Sequence, residues 1–103
     1  MDIELEKNQD TVKIIIDGNV DTDGGQQLSV KFQEIMEMDD VKGVIFDLTT
    51  VKTTTSSGIG KILNFFKYID AHGGSMEING ISDSLYEQFL EIHLDRIFPI
   101  KKG

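Results

Sequence analysis

Near the start of the chain, apolar and polar residues alternate in two short runs. Ile3 and Leu5 are interleaved with Glu4 and Glu6, and Val12, Ile14 and Ile16 share one face of a second run that ends at Asp17-Gly18. Period-two alternation predicts two strands, and Asn8-Gln9-Asp10 between them is turn chemistry, so they pair as an antiparallel hairpin. Asp21-Thr22-Asp23-Gly24-Gly25 is a second turn, followed by a helix with Leu28, Phe32 and Ile35 on its inner stripe and closed by Asp39-Asp40 and Lys42-Gly43. Val44-Ile45-Phe46-Asp47-Leu48 is then a nearly unbroken apolar run, which predicts a central strand covered on both faces. Ile59, Ile62, Leu63, Phe66 and Ile69 recur at helical spacing up to a stop at Ala71-His72-Gly73-Gly74.

Alternation returns at Met76 to Asn79, another strand. Ser84 and Glu87 have capping-box spacing ahead of a last helix whose predicted buried stripe is Leu85, Phe89 and Ile92, with Ser82 as a competing cap. Ile97-Phe98-Pro99-Ile100 reads as a short closing strand, and Pro99 suits a sheet edge. The order β-β-α-β-α-β-α-β places the chain in the α/β class, with a mixed, mostly parallel sheet of four to five strands and helices as crossovers. Residues 1–103 form one domain, without repeats, linkers or low-complexity tracts.

Composition narrows the function. An apolar share of 39% supports an ordinary core, and no run approaches the roughly 20 apolar residues needed to cross a bilayer. The start, Met1-Asp2-Ile3-Glu4, is acidic and unlike a signal peptide. There is no cysteine, hence neither disulfide nor thiol chemistry, which fits a cytoplasmic protein. A net charge of -8 argues against nucleic acid or an anionic membrane as partner and favours a basic or apolar protein surface. Enzyme motifs are incomplete. Gly60-Lys61 lacks the first glycine and the hydroxyl of a P-loop, and Gly58-Ile59-Gly60 lacks the third glycine of a dinucleotide fingerprint. His72 and His93 end separate helices and make a poor metal pair. The chain is expected to be no enzyme and to need no cofactor or metal.

The most informative segment follows the central strand: five consecutive hydroxyl residues, Thr53-Thr54-Thr55-Ser56-Ser57, then Gly58-Ile59-Gly60. A helix starts close to Ser56 and Ser57, and a hydroxyl there can accept a bond from one of the unpaired first amides. The same amides and the positive end of the helix dipole favour a phosphate. Ser56 therefore reads either as a plain cap or as a serine with two charge states. Gly58 and Gly60 read either as points of close partner approach or as close packing against the neighbouring strand. Asp47 is a turn organiser or an acid at a phosphate site. The turns after Asp17 and Asp47 follow neighbouring strand ends, so Asp21, Asp23 and the Thr53–Ser57 hydroxyls should share one surface.

The segment resembles the STAS domain of bacterial anti-sigma-factor antagonists, whose pattern is roughly D-L-S-x-V-x-F-x-D-S-S-G-L-G. The matching residues are Asp47, Leu48, Thr49, Val51, Ser56, Ser57, Gly58, Ile59 and Gly60. Gly18-Asn19-Val20-Asp21 is similar to the family's G-E-L-D turn, and Leu94-Asp95-Arg96-Ile97-Phe98-Pro99-Ile100 to its closing L-D-x-L-F-x-I segment. Gly73-Gly74-Ser75-Met76 adds a fourth match in the right order. Thr55 stands where the family has an acid, and Thr53 and Thr54 stand where it has bulky apolar residues.

The resemblance implies a phosphorylation-switched binding protein. Its phosphoacceptor is Ser56, with Ser57 and Thr55 as alternatives, and Ser57 otherwise has its hydroxyl on helix amides. The implied partner surface is Asp21, Asp23, Thr55, Ser56, Ser57, Gly58, Ile59 and Gly60. The implied partners are an anti-sigma factor with serine-kinase activity, released from its sigma factor, and a serine phosphatase. Two other readings remain: a STAS interaction module or scaffold subunit outside sigma control, favoured by the Thr53-Thr54-Thr55 run, and a small-ligand or nucleotide-phosphate binder using Ser56–Gly60.

Overall fold

The computed structural model describes residues 1–102. Strand β1 (Asp2–Asn8) turns through Gln9, whose φ is +56°, into antiparallel β2 (Thr11–Asp17). Helix α1 (Thr22–Met36) leads to β3 (Gly43–Leu48), α2 (Ser56–Ala71) to β4 (Ser75–Ile81), and α3 (Asp83–Glu91) with a 3₁₀ turn (Leu94–Arg96) to β5 (Ile100–Lys101). The spatial order is β1-β2-β3-β4-β5, parallel from β2 onward. This is the expected α/β architecture with five strands.

Because each parallel crossover advances in the same direction, the right-handed rule puts every helix on the same face. Burial agrees with that arrangement. In β3, Val44, Phe46 and Leu48 are buried while Ile45 and Asp47 are only half-buried, and β2 and β4 alternate likewise. The apolar run of β3 is thus not covered on both faces, because the chain never reverses its winding to send a helix to the far side. Ile45 fills the outer face as a β-branched residue suited to a pleated surface.

One core cluster joins the inner sheet face to the helices. At its centre Phe32 of α1 stacks on Phe65 of α2 with centroids 4.3 Å apart, and Phe46 of β3 meets them edge-on at 5.9 and 6.4 Å. Such pairs add about 0.5–1.5 kcal/mol each beyond simple burial, and they fix both helices on the central strand. The α2 stripe is Ile59, Ile62, Phe65 and Ile69; Leu63 and Phe66 flank it half-buried. The helix stops where Gly73 takes φ +76°.

Three further expectations change. Ser82, and not Ser84, caps α3 by accepting from the Leu85 amide at 3.2 Å, while Ser84 Oγ donates to the Lys52 carbonyl at 3.0 Å. Ile92 is 47% exposed, because α3 ends at Glu91 and His93 turns the chain left-handed at φ +62°. Residues 97–99 lie outside the last strand, which holds only Ile100 and Lys101 at the sheet edge, immediately after Pro99. Among the described residues no helix is long and apolar enough to cross a membrane.

Candidate functional site at the start of α2

Two loops leave the carboxyl ends of β2 and β3 and zip together before their helices begin. Asn19 Oδ1 accepts from the Lys52 and Thr53 amides at 3.0 and 3.3 Å. The Val20 amide donates to the Thr53 carbonyl at 3.1 Å, and the Thr55 amide donates to the Val20 carbonyl at 3.0 Å. The result is a one-rung parallel bridge between Val20 and Thr54, both buried beside Val51. Lower in the same loops, the Gly18 amide donates to Thr50 Oγ1, whose hydroxyl donates to Asp17 Oδ1 at 2.8 Å.

The residues directly after this bridge cap the two helices. Asp21 accepts from the Gly24 amide at 2.8 Å, opening α1, and Thr55 Oγ1 accepts from the Gly58 amide at 3.0 Å, opening α2. Asp21 and Thr55 are therefore neighbours, and two helix N-termini emerge side by side. Asp23 is exposed in the first turn of α1, where its charge suits the helix dipole. The loops lie side by side as expected, but Thr54 departs from the shared surface: it is 5% exposed, with its hydroxyl packed against Gly58.

Ser56 and Ser57 are the first two residues of α2, and both are exposed. Neither hydroxyl makes a hydrogen bond among the described residues. The amide-binding role expected of Ser57 belongs to Thr55, whose extended backbone (φ -70°, ψ 160°) is that of a cap residue. Putting the cap one residue earlier leaves the two serines on the outside of the first turn.

Gly58 and Gly60 separate cleanly. A Cβ on Gly58 would lie 2.5 Å from Thr54 Oγ1 and 2.9 Å from Val20 Cγ1, so the first turn needs a glycine to pack against the loop bridge. A Cβ on Gly60 would meet nothing within 4 Å. Ile59 is buried and anchors the turn to the core, so Ile59 and Gly58, both expected on the partner surface, lie beneath it instead.

The loop is also held from α3. Gln88 Nε2 donates to the Thr54 carbonyl at 3.0 Å, and the Ser82 hydroxyl donates to the Val51 carbonyl. Asp47 organises the start of the loop, with Oδ1 accepting from the Thr49 amide at 3.0 Å and the Thr49 hydroxyl at 2.6 Å. Gly80, at φ +99°, leaves room for that turn, since a Cβ there would lie 2.9 Å from Asp47 Oδ1. Sequence reasoning missed Asn19, Gln88 and Gly80. Gly80 follows directly on the predicted run Met76 to Asn79 and lies inside the observed strand, where an interior glycine marks close backbone approach.

The site offers amides and a helix dipole, with little cationic help. Lys61, one turn further along α2, is engaged by Ser29 Oγ at 3.0 Å. Among the described residues no group of three or more His, Cys, Asp or Glu could hold a metal. The arrangement can present a rigid, exposed hydroxyl pair and accept an anion on polarised backbone amides.

Known proteins share this architecture. The chain is 22% identical over 100 residues to an anti-sigma F factor antagonist of Paenibacillus polymyxa, spanning 97% of this chain and 86% of that one. It superposes on the Bacillus cell fate determinant SpoIIAA in its phosphorylated form with a TM-score of 0.76 at 21% identity, covering 96% and 90% of the two chains. A STAS-domain anti-sigma-factor antagonist from Planctomyces limnophilus gives 0.84 at 19% identity, covering 100% and 92%. The STAS domain profile matches residues 2–103, and the chain belongs to the STAS-domain family.

Proposed function

We propose that this protein is an anti-sigma-factor antagonist in the bacterial cytoplasm, whose docking is switched off by phosphorylation of Ser56. The observation that carries the reading is the Ser56 hydroxyl: exposed, at the first position of α2, beside a cap that Thr55 already supplies. Its place in the family pattern is that of the first serine of D-S-S-G, and one structural relative, SpoIIAA, has a phosphorylated form.

The unmodified surface, formed by Asp21, Asp23, Thr55, Ser56, Ser57 and Gly60, would receive the anti-sigma factor and free its sigma factor, with Gly58 and Ile59 buried beneath it. Gly60 supports such a contact, because a helical glycine with open space around it has no packing role within the fold. A phosphate on Ser56 adds about -1.5 to -2 charge and accepts bonds from first-turn amides, so it barely disturbs the fold. Against a partner it is bulky, strongly hydrated and costly to desolvate, and it adds negative charge beside any acidic group the partner presents there. Like-charge juxtaposition costs several kcal/mol, and each ~1.4 kcal/mol is a decade of affinity. A kinase activity in the anti-sigma factor would set the switch, and a serine phosphatase would reset it.

Titration calorimetry of Ser56→Ala and Ser56→Asp against the anti-sigma factor of the same genome tests this. Binding kept in the alanine variant and weakened at least about a hundredfold in the aspartate variant is expected. Equal affinities would remove Ser56 from the interface. The neutral cap Thr55, where the family pattern has an acid, favours a second reading: an interaction module that binds constitutively. Unchanged affinity after exposure to an active kinase and ATP is its signature.

A further inference from the structure

We propose that the outer face of the sheet is a second docking surface, which takes a basic, amphipathic helix of another protein. The one-way winding leaves this face without a helix among the described residues. Two β-branched side chains, Ile15 and Ile45, lie half-buried on adjacent strands at its centre. They are framed by cross-strand rows: Glu4, Ile15 and Asp47 in one, and Glu6, Lys13, Ile45 and Glu77 in the next, with Asp2 opposite Asp17 beyond them.

The face therefore carries six carboxylates, Asp2, Glu4, Glu6, Asp17, Asp47 and Glu77, against two cations, Lys13 and Lys101. Only Glu77 has an ion-pair partner among the described residues, Lys101 at 3.3 Å. A depression of about 550 Å³ opens between Asp2, Glu4, Ile15, Asp17 and Asp47.

Charge chooses the occupant. A second copy of this chain would bring a net charge of -8 to an already acidic face, and like charges across an interface are strongly disfavoured. A helix is the element that ordinarily covers a sheet face. One with Lys or Arg flanking a narrow apolar stripe would cover the isoleucine pair and neutralise the carboxylates around it. The surface lies across the sheet from α2, so it is independent of the Ser56 reading, and a partner held there stays bound in either phosphorylation state.

The test is an NMR titration of the isotope-labelled full chain with two Leu/Lys peptides of about four helical turns. They share one composition; one is arranged amphipathically and the other scrambled. Shifts centred on the Glu4, Ile15, Ile45 and Asp47 amides, with affinity at least about tenfold tighter for the amphipathic peptide, are expected. Ile45→Lys, on the solvent side of its strand, should abolish that preference, and Glu4→Lys, on the exposed edge strand, should weaken binding without touching an isoleucine. Equal affinity for both peptides, or shifts confined to the helices and the Ser56 loop, overturns the proposal.

Discussion

Replacing Gly58 and, separately, Gly60 by alanine should move stability in opposite directions, although both are glycines near the start of the same helix. At Gly58 the new methyl would stand 2.5 Å from Thr54 Oγ1 and 2.9 Å from Val20 Cγ1. Those two residues are 5% and 3% exposed and form the bridge between the loops, so neither can swing away into solvent. Overpacking of this kind costs about 1–3 kcal/mol. The helix propensity gained by losing a glycine returns up to about 1 kcal/mol, leaving a net loss of about 1–2 kcal/mol. At Gly60 only the gain remains, about 0.5–1 kcal/mol. For a domain of this size each kcal/mol moves Tm by about 4–8 °C. Gly58→Ala should therefore melt about 5–15 °C lower than the parent and Gly60→Ala a few degrees higher, with urea unfolding followed by far-UV circular dichroism as the second readout. If Gly58→Ala is as stable as the parent, or Gly60→Ala is weakened, the assignment of one glycine to packing and the other to open surface is wrong. A gain in stability at Gly60 joined to a loss of partner affinity would tie that glycine to the interface.

Other outcomes follow from single contacts. Thr55→Ala removes the cap on the Gly58 amide and should cost about 1 kcal/mol in urea unfolding, whereas Thr55→Asp should hold or exceed parental stability. Phe65→Ala empties the centre of the aromatic cluster and should cost about 3–5 kcal/mol, a large share of the stability of a small domain. The Asp83 carboxyl is held below its ordinary range by its hydrogen bond and charge pairing with Lys102. A depressed acid contributes its stabilisation fully above the ordinary carboxylate range and loses it as pH falls through the lowered folded value. In Lys102→Ala the Asp83 titration, followed by carboxyl NMR, should move up; no movement would show that the pair is not formed in solution.

The strands and helices were legible because their apolar periods are clean: Val12, Ile14 and Ile16 face inward as their spacing requires, and Ile59, Ile62 and Ile69 line the inner side of α2. Local pattern failed where a choice depended on distant residues. Ser82 and Ser84 both carry a capping hydroxyl, and Ser82 wins because the chain path from Leu48 and Val51 places it at the helix start, while Lys52 engages Ser84. Among the hydroxyls before α2, Thr55 caps because the Val20–Thr54 bridge holds it extended, a pairing across more than thirty residues. The run Val44 to Leu48 looked buried on both sides because composition reports apolarity and says nothing of the direction of winding. At the site, the exposed serines and the glycine pair were readable from the motif, but the separate reasons for Gly58 and Gly60 needed coordinates.

Everything in the proposed switch depends on the hydroxyl at the first position of α2 receiving the phosphate that ends docking. Intact-mass and fragment analysis after incubation with ATP and the kinase-type anti-sigma factor of the same genome tests it most directly. One phosphate increment is expected, located at Ser56 and absent from Ser56→Ala. An increment that persists in Ser56→Ala, or none at all with a kinase shown to be active on another antagonist, contradicts it.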